Sequence, residues 1–567
     1  MRRDAKRGSE GIMPEYRGVH GSSGATEDRR RRGRAKRALP DASLDDALNE
    51  RIRPMRVAGR SGWWGLLAAV IAIGVVVGIA APWRGSANSG PGLIGAAHRM
   101  SIGLKLAPGN LDIRTQSGAA LDQILIGNVY EGLVARDGEN KVVPGLAESW
   151  DSSPDGLVYT FRLHRGMRFS NGHALHADDV AWSINELRAR GYQDSEQLED
   201  VSSVTAPDAA TVRIALKAPY ASLLWVLTGR PGLVFDRRAH YDRATQAVGS
   251  GPYTITRYVP NSVITLQADD RYWGARKART ARIDVRYFAD DTAAVNALRS
   301  GDVQVLAPLT QSLAQPFVDD PAQYEVKVGE GTDKFVLAFN GTGAATSDLR
   351  VRQAIRYAID RRQLIASRGG ADAPLGGPIP SLDPGYEDLT GLYPHDPAKA
   401  KRLMAETGHD RAHPLRLTLT YAHIYGSELG DQLRSQLRPI GIDLHVEVVE
   451  FATWLQDVYT NHDYDLSLVD HNESHDFYLW ADPDYYFGYD NPTVQRLYRQ
   501  ASRASNPQDN ARILAQAARI VSRDAPADWL FNYRITTATV KGVQGFPVNL
   551  NQTLLPLADV TYTPGKE

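Results

Sequence analysis

One acidic and aromatic segment holds the residue types best suited to chemistry: residues 470–492, DHNESHDFYLWADPDYYFGYDNP. It combines six carboxylates, two histidines and seven aromatic residues in 23 positions, and it contains no lysine or arginine. Carboxylate and imidazole groups at this density are typical of metal sites, of acid–base pairs and of the walls of ligand pockets. The positions of these residues, and the rest of the chain, distinguish among the three.

The two histidines of this segment do not have the spacing of a hydrolytic zinc site. His471 and His475 are four residues apart and would share one face of a helix. Zinc proteases use H-E-x-x-H, in which the glutamate directly follows the first histidine. Here Glu473 lies midway, and on a helix it would point about 160° away from the shared face. Capture of a metal or a metal chelate by the histidines, with Asp470 or Asp476, stays open.

The segment is expected to be a loop. It follows a strand-like run, Tyr464–Val469, and it is interrupted by Asp482-Pro483, because the residue before a proline avoids helical backbone. Loops at strand ends often contact ligands. Aromatic rings offer stiff apolar faces, and an acid among them would pair strongly with a ligand ammonium. Packing inside the protein is the competing interpretation for residues 485–492, and Asp484 is expected to cap the turn together with Asp482.

Known catalytic patterns give little support for an enzyme. The chain has no nucleophile elbow of the G-x-S-x-G type with plausible partners and no Walker-type phosphate loop. It has no cysteine, which excludes disulfides, thiolate metal sites, cysteine nucleophiles and the lipid-modified cysteine of bacterial lipoproteins. We therefore expect no catalytic residues and no cofactor.

The charge is divided unevenly along the 567 residues. Residues 1–60 contain 16 Lys and Arg and 9 Asp and Glu, a net charge of +7, so the remainder carries −8 within the overall −1. An acidic main body would repel phosphate, which argues against nucleic-acid binding. The basic head, residues 1–61, has no hydrophobic periodicity and is expected to be a disordered cytoplasmic tail.

An uncharged segment, Gly62–Trp83 (GWWGLLAAVIAIGVVVGIAAPW), follows this head. It is long enough to cross a hydrocarbon core of ~30 Å as a helix, and tryptophans stand at both ends. Arginines precede it, so the positive-inside rule places the N-terminus in the cytoplasm and the body outside. The alternative is a cleaved signal segment, with Gly85-Ser86-Ala87 as a small-x-small site. Residues 84–97 are expected to be a flexible linker, and the body begins at about residue 98.

The body mixes strand and helix patterns throughout, which predicts an α/β fold. Residues 100–106 and 155–163 are predicted strands, and residues 121–133 and 176–191 are predicted helices. Residues 348–365 are predicted to form one amphipathic helix with Asp348 as its N-cap. Its apolar face is made of the following residues: Val351, Ala354, Ile355, Ala358 and Ile359.

Residues 142–184 (VVPGLAESWDSSPDGLVYTFRLHRGMRFSNGHALHADDVAWSI) closely resemble the signature segment of family 5 extracellular solute-binding proteins, the peptide- and nickel-type binding components of ABC importers. Further similar segments follow in the order of that family, at residues 250–255, 339–365 and 377–408. The resemblance covers about residues 100–560. It implies a periplasmic-binding-protein fold of two lobes joined by two crossings, with the ligand between the lobes.

The resemblance also implies how the chain is divided. Lobe I is expected at 98–140, 246–330 and 526–567. An extra subdomain of lobe I is expected at 141–245, and lobe II at 331–525.

The implied function is a membrane-anchored extracytoplasmic receptor that closes two lobes over a short peptide and hands it to ABC permease subunits with separate ATPases. Peptide binders of this family place an aspartate against the peptide amine. The resemblance favours Asp476 for this role, with Asp470 second, and the side-chain pockets are expected at Trp480, Tyr485 and Tyr486. Backbone groups near Asn340, in the FNG at 339–341, are expected to hold the peptide main chain. A nickel or metal-chelate receptor, using His471 and His475, and a membrane-anchored solute sensor are the alternatives.

Overall fold

The computed structural model describes residues 99–116 and 118–564. The basic tail, the apolar segment Gly62–Trp83 and the linker at 84–97 lie outside the described residues. Among the residues that are described, no helix is long and apolar enough to span a membrane.

The strands of the described residues, in chain order, are β1 (Arg99–Leu104), β2 (Val134–Arg136), β3 (Val142–Pro144), β4 (Ala147–Ser152), β5 (Val158–Leu163), β6 (Val201–Asp208), β7 (Thr211–Leu216), β8 (Tyr253–Val259), β9 (Val263–Ala268), β10 (Arg282–Tyr287), β11 (Val305–Leu309), β12 (Tyr324–Gly329), β13 (Lys334–Phe339), β14 (Ala373–Pro374), β15 (Leu415–Ala422), β16 (Ile442–Val449), β17 (Leu466–His471), β18 (Ala527–Asn532), β19 (Ile535–Val540), β20 (Val543–Gln544) and β21 (Thr561–Tyr562).

The α-helices, in the same order, are α1 (Ala119–Leu125), α2 (Ala177–Arg190), α3 (Leu223–Val226), α4 (Asp291–Arg299), α5 (Gln311–Val318), α6 (Leu349–Ala358), α7 (Arg361–Ser367), α8 (Pro397–Glu406), α9 (Glu428–Leu437), α10 (Phe451–Trp454), α11 (Pro492–Ser502) and α12 (Pro507–Asp524).

Two large mixed sheets form the centres of two lobes, in agreement with the predicted α/β fold class. The sheet of lobe I has seven strands in the order β12-β19-β11-β1-β10-β9-β8. The sheet of lobe II has six strands in the order β14-β18-β13-β17-β15-β16. A separate four-stranded antiparallel sheet, β4-β5-β7-β6, packs against α2 around its own apolar core, in the region where the extra subdomain is expected.

The chain crosses between the two large sheets twice. The first crossing, residues 330–333, joins β12 to β13, and the second, Tyr533 and Arg534, joins β18 to β19. Because β18 belongs to the sheet of lobe II, the second crossing lies a few residues beyond the expected limit at 525/526. The amide of Tyr533 donates to the carbonyl of Asp333 at 3.0 Å, and Arg534 pairs with Glu330 at 3.1 Å. The two crossings therefore form one hydrogen-bonded strap.

Two predicted helices are shorter than the sequence pattern indicated. The predicted helix at 348–365 is two helices, α6 and α7, because the Asp360 side chain accepts a hydrogen bond from the amide of Gln363 and caps a new helix start. Asp348 caps α6 as predicted, and the predicted apolar face is buried. The predicted helix at 121–133 ends at Leu125, two residues before Gly127, which has a φ of +77°.

A buried ionic cluster fixes α6 and α7 against the sheet of lobe II. Asp528 on β18 pairs with Arg356 at 3.1 Å and also with Arg361, and all three side chains are at most 9% exposed. Arg356 additionally donates to the carbonyl of Ser522 at 2.6 Å. Removal of one partner from such a buried cluster leaves charge without compensation, so its members are expected to be far more costly to replace than surface ion pairs.

The substitution Asp528→Asn is therefore expected to lower the free energy of unfolding by about 3–5 kcal/mol, because two guanidinium groups lose their counter-charge. Urea unfolding of the full chain, followed by tryptophan fluorescence, measures this change. Asp431→Asn is the matched control, since Asp431 pairs with Arg434 at the exposed surface, and it should leave the unfolding midpoint almost unchanged. Equal effects of the two substitutions would contradict the prediction.

Candidate functional site

The candidate site lies at the hinge end of the lobe II sheet. Three strands have an end there: β13 begins at Lys334 directly after the first crossing, β17 ends at His471, and β18 ends at Asn532 directly before the second crossing. The acidic and aromatic segment leaves this same edge after β17. Its first two residues, Asp470 and His471, belong to β17 itself, and Asp476–Trp480 form a short 3₁₀ helix, so the expected loop is confirmed only for the rest of the segment up to Asn491.

Lys334 is the centre of the charged groups at this edge. Its side chain is 2% exposed, and its ammonium contacts the carboxylate of Asp476 at 3.0 Å. It also donates to the carbonyls of Thr332 at 3.1 Å and Glu473 at 2.7 Å. All three ammonium hydrogens thus have acceptors. Asp476, the first choice from sequence for a ligand amine, is paired with an ammonium of the protein itself.

The ionisation of this pair is set by burial and by neighbouring acids. Burial raises the pKa of Asp476 to about 7, although Lys334 acts in the opposite direction. Burial acts to lower the pKa of Lys334, but Asp476 and Asp383 outweigh it, so the pKa of the lysine is raised. Lys334 is therefore charged at neutral pH, and its charge favours the ionised form of Asp476 against the effect of burial.

Asp470 differs from Asp476 in having an unused carboxylate oxygen. It lies on β17 opposite Phe335, and its Oδ1 is buried without a hydrogen-bond partner among the described residues. Burial raises the pKa of Asp470 to about 6, against the influence of Lys334 and Arg368. Burial and the charge of Asp470 likewise raise the pKa of Asp333, in the first crossing. Two buried carboxyl groups thus lie close enough to influence each other beside the hinge.

The loop after β17 also contacts lobe I. Asp383 of lobe II accepts hydrogen bonds from the side chain of Asn140 at 3.0 Å, from the hydroxyl of Ser474 at 2.5 Å and from the amide of His475 at 2.7 Å. The ring of His475 packs on Trp225 with the centroids 4.2 Å apart. One carboxylate and one ring pair therefore join lobe II to the turn between β2 and β3 and to α3 of lobe I at this edge.

Arg136 completes the lobe I side of this contact. Its guanidinium lies 5.5 Å from the ring of Trp225, and its Nη1 donates to Asn140 at 3.1 Å. Its Nε is buried without a partner among the described residues. Burial lowers the pKa of Arg136, while Asp122 and Asp383 act to raise it. The site thus contains a carboxylate oxygen on lobe II and a guanidinium nitrogen on lobe I that have no hydrogen-bond partner among the described residues.

The predicted aromatic residues pack in the core of lobe II. Trp480 is stacked on Phe487, with a centroid distance of 4.3 Å and an interplanar angle of 13°. Tyr485 and Tyr486 are buried in the same cluster, and the backbone carbonyl of Tyr486 accepts a hydrogen bond from Tyr464 at 2.9 Å. The conformation described here uses these rings for packing, which was the competing interpretation, and their contact with a ligand stays a prediction.

Asn340 is used within lobe II as well. Its Nδ2 donates to the carbonyls of His462 at 3.0 Å and Tyr464 at 2.8 Å, and its Oδ1 accepts from Thr342. Its amide donates to the carbonyl of Asp465 at 3.0 Å. These bonds hold the turn after β13, and a peptide contact near Asn340 also stays a prediction.

The two histidines do not form a common face. His471 ends β17, and its Nε2 lies 3.3 Å from the hydroxyl of Tyr486, whereas His475 has a left-handed φ of 61° and packs on Trp225. Burial lowers the pKa of His471 to about 3, so this ring is neutral. Among the described residues, no group of three or more histidine or acidic side chains has an arrangement that could hold a metal ion.

Sequence reasoning identified Asp470 and Asp476 but missed Lys334, Asp383 and Arg136. A lysine at the head of the apolar run KFVLAFN is the one signal that pointed to Lys334, because a charged residue rarely enters a strand that is buried on both faces. Asp383 and Arg136 lie in ordinary turn and strand contexts, and nothing in their neighbourhoods distinguishes them.

Comparison with known proteins identifies the family. Residues 141–492 match the family described as bacterial extracellular solute-binding proteins, family 5, middle region. The chain is 26% identical over 482 residues to the glutathione-binding protein GsiB of Pectobacterium atrosepticum, which covers 78% of this chain and 90% of that protein. It is 29% identical over 385 residues to a putative ABC transporter peptide-binding protein of Brucella ovis, covering 64% of this chain and 71% of the relative.

Solved structures show the same fold at lower identity. NikA from Brucella suis, in complex with Fe(III)-EDTA, has a TM-score of 0.72 at 22% identity, with 82% of this chain and 100% of that chain covered. DppA from Helicobacter pylori, in complex with the peptide STSA, has a TM-score of 0.64 at 22% identity, with 82% and 98% covered. These similarities establish the two-lobe periplasmic-binding-protein fold.

The buried pair at the hinge can be tested through stability. Lys334→Met is expected to lower the free energy of unfolding by about 3–5 kcal/mol, because Asp476 is left without its counter-charge. The double substitution Lys334→Met with Asp476→Asn should recover much of this loss, since both charges are then removed. Urea unfolding of the four proteins of this cycle gives the coupling free energy directly.

Lys327→Met is the matched control for this cycle, because Lys327 pairs with Glu325 at 3.1 Å while both side chains are about half-exposed. It should change stability very little. A double variant that is no more stable than Lys334→Met alone would contradict the pairing.

Proposed function

The chain belongs to family 5 of the bacterial extracellular solute-binding proteins, and we propose that it binds short peptides between its two lobes and delivers them to an ABC importer. Relatives are named for peptide binding and for glutathione binding, which supports a ligand of this size and chemistry. The receptor itself performs no chemical step under this proposal, and separate ATPase subunits provide the energy for import.

The observation that carries the proposal is the unused acid at the hinge end of lobe II. Asp470 has a buried oxygen without a partner, Asp333 lies near it, and Lys334 is saturated by its three acceptors. A desolvated carboxylate of this kind binds an ammonium group more strongly than an exposed one, because the local dielectric is low. We infer that Asp470, rather than Asp476, receives the amine of the peptide.

On lobe I, Arg136 offers a positive charge that could pair with the carboxylate of the peptide. Arg136 has a buried Nε without a partner, and it lies beside Trp225 at the contact between the lobes. A guanidinium can take a carboxylate in a two-point geometry, which a lysine cannot. A zwitterionic ligand that passes around the end of the lobe II sheet, from Asp470 on one face to Arg136 beside the other, would satisfy one unused group on each lobe.

Closure of the lobes would join these two groups across the ligand. Asn140 and Trp225 contact Asp383 and His475 at one edge. At another edge the amide of Ala221 donates to the carbonyl of Ser502 at 2.9 Å, and Arg503 pairs with Asp200 at 2.7 Å. These contacts are small, and apart from the Trp225–His475 ring pair they are polar, so they can break and re-form as the lobes turn about the strap at the two crossings.

We also propose that the body is held at the outer face of the cell membrane by Gly62–Trp83 as an uncleaved anchor. The length of this apolar segment, the tryptophans at its ends and the arginines before it support this placement. A tethered receptor stays close to the permease without the lipid-modified cysteine that this chain lacks.

Asp470→Asn is expected to weaken the binding of short peptides by about 30-fold or more, because the ammonium loses a charged partner in a desolvated place. Isothermal titration calorimetry of the full chain with di- to tetrapeptides and with glutathione measures the effect. Asp482→Asn is the matched control, since Asp482 is an exposed acid of the same segment that holds only the amide of Asp484. The Asp482→Asn variant should bind short peptides with the affinity of the natural protein.

The pH dependence follows from the same residue. The pKa of Asp470 is raised to about 6, and only the ionised form pairs with an ammonium, so peptide affinity should rise about tenfold from pH 5 to pH 7. Asp470→Asn should remove this rise.

Two results would contradict the ligand assignment. One is a pH profile that is the same in the natural protein and in Asp470→Asn. The other is tight binding of a nickel–histidine complex that disappears when both His471 and His475 are replaced by alanine.

The anchor predicts that the mature chain keeps residues 62–83. Intact-mass analysis of the protein extracted from membranes should give the full chain, and Ala87→Leu, which removes the small residue of the alternative cleavage site, should give the same processing. A mature protein that begins near Asn88, together with an unprocessed Ala87→Leu variant, would contradict the anchor.

A further inference from the structure

One face of the lobe I sheet has two different halves. Helices pack on one half, and arginines lie on the other. Over β11 and β19, helices α4 and α5 pack on Leu306 and Ala538 and form an apolar cluster. The strands β1, β10, β9 and β8 continue the same face, but there Arg257 and Ser262 are exposed and Arg286 is half-buried. Helix α4 reaches β1 as well, and its Asp291 pairs with Lys105 just after that strand. The opposite face of β1, β10, β9 and β8 is the apolar core of the lobe.

The strand register brings these arginines together. Asp284 pairs in register with Ser101 on β1 and with Thr265 on β9, and Thr265 pairs with Arg257 on β8. Residues paired in this way lie on the same face of a sheet. Arg282 and Arg286 flank Asp284 on the same strand and face. Together these residues surround a pocket of about 370 Å³.

The pocket has more positive than negative charge. Arg282 is bound by Asp284 through three contacts of 2.9–3.2 Å. Arg286 donates to the carbonyl of Asp302 at 3.4 Å and lies 5.5 Å from the ring of Phe288, but it has no ion pair, and Arg257 has neither an ion pair nor a hydrogen bond among the described residues. Two guanidinium groups are thus without a counter-ion beside the pocket, and they fit a phosphate or carboxylate group.

The start of the body lies on this face. Arg99, the first residue of β1, pairs in register with Arg282. The 15 residues from 84 to 98 connect it to the apolar segment Gly62–Trp83. A chain of this length spans at most about 50 Å when fully extended. It contains no acidic residue and cannot neutralise the arginines itself.

We propose that this arginine face docks on the phosphate groups of anionic phospholipids in the bilayer that holds Gly62–Trp83. The inference rests on the anchor proposed above and is independent of the ligand. The linker is long enough for the face to reach the bilayer surface, and each arginine near an anionic surface adds to the attraction. Docking would give the tethered body a preferred orientation instead of free rotation on its linker.

The test uses the absence of cysteine from the chain, so that one introduced cysteine carries a single fluorophore. Ser300→Cys lies at the end of α4, outside the pocket and two residues before Asp302. Ser435→Cys lies on α9 of lobe II and is the position control. The full chain is placed in vesicles of phosphatidylcholine, or of phosphatidylcholine and phosphatidylglycerol at seven to three, and energy transfer to acceptor lipids is measured.

Transfer from Ser300→Cys is expected to rise at least twofold in the vesicles that contain phosphatidylglycerol, and salt of about 0.5 M should abolish the rise. The label at Ser435→Cys should not respond in this way. Replacement of Arg257, Arg282 and Arg286 by serine should weaken docking roughly 100-fold and remove the rise. Replacement of three exposed arginines of lobe II, Arg411, Arg416 and Arg438, should leave it unchanged.

Equal transfer in the two lipid mixtures, or an unchanged rise after the first triple replacement, overturns the proposal. Failure of the anchor is distinguished by flotation: an anchored chain floats with pure phosphatidylcholine vesicles. If the chain does not float with pure phosphatidylcholine vesicles, flotation with vesicles that contain phosphatidylglycerol tests docking by itself. Salt-sensitive flotation that is lost when Arg257, Arg282 and Arg286 are replaced still supports docking. The absence of such flotation overturns the docking proposal. Peptide affinity of the variant tests the ligand site separately and should be unchanged.

Discussion

The organisation of the site depends on the charge of one buried lysine. Lys334 is the first residue of β13 after the chain enters lobe II, and its ammonium contacts a carbonyl of the crossing, a carbonyl of the loop after β17 and the carboxylate of Asp476. A buried ammonium is stable only when all its donors have acceptors and its charge has a partner. Because Lys334 meets these requirements with groups from both segments, it holds the loop after β17 against the first crossing. The hydroxyl of Thr332, which bonds the carbonyl of Asn472 at 3.3 Å, strengthens the same connection.

This connection explains why Asp470 and Asp476, which are close in sequence, have different partners. Lys334 and His471 pair across β13 and β17, as do Phe335 and Asp470. Neighbouring residues on a strand point to opposite faces, so Asp470 lies on the face that Lys334 does not occupy. Asp476 receives the ammonium, and Asp470 keeps an unused oxygen. The difference between the two acids in their partners is thus a consequence of strand register.

The same reasoning shows what could be derived from the sequence. The two-lobe α/β fold, the capped helix beginning after Asp348 and the loop nature of the segment after β17 follow from local patterns and from family resemblance. The pairing of Asp476 with Lys334 could not be derived, because this lysine is remote in sequence, 139 residues before Glu473 of the same loop. The break at Asp360 was missed for a related reason. An aspartate inside an amphipathic pattern can either face solvent or cap a new helix, and tertiary packing decides between the two.

The position of Lys334 also has a consequence for movement. A hinge works when a few residues change their backbone angles while the elements on both sides stay rigid. Here the two lobes are connected through the two crossings, which are bonded to each other through Tyr533 and Asp333. The loop that contacts Asn140 and Trp225 of lobe I is attached to the first crossing through Lys334. Any rotation at the crossings would therefore carry this loop together with lobe II.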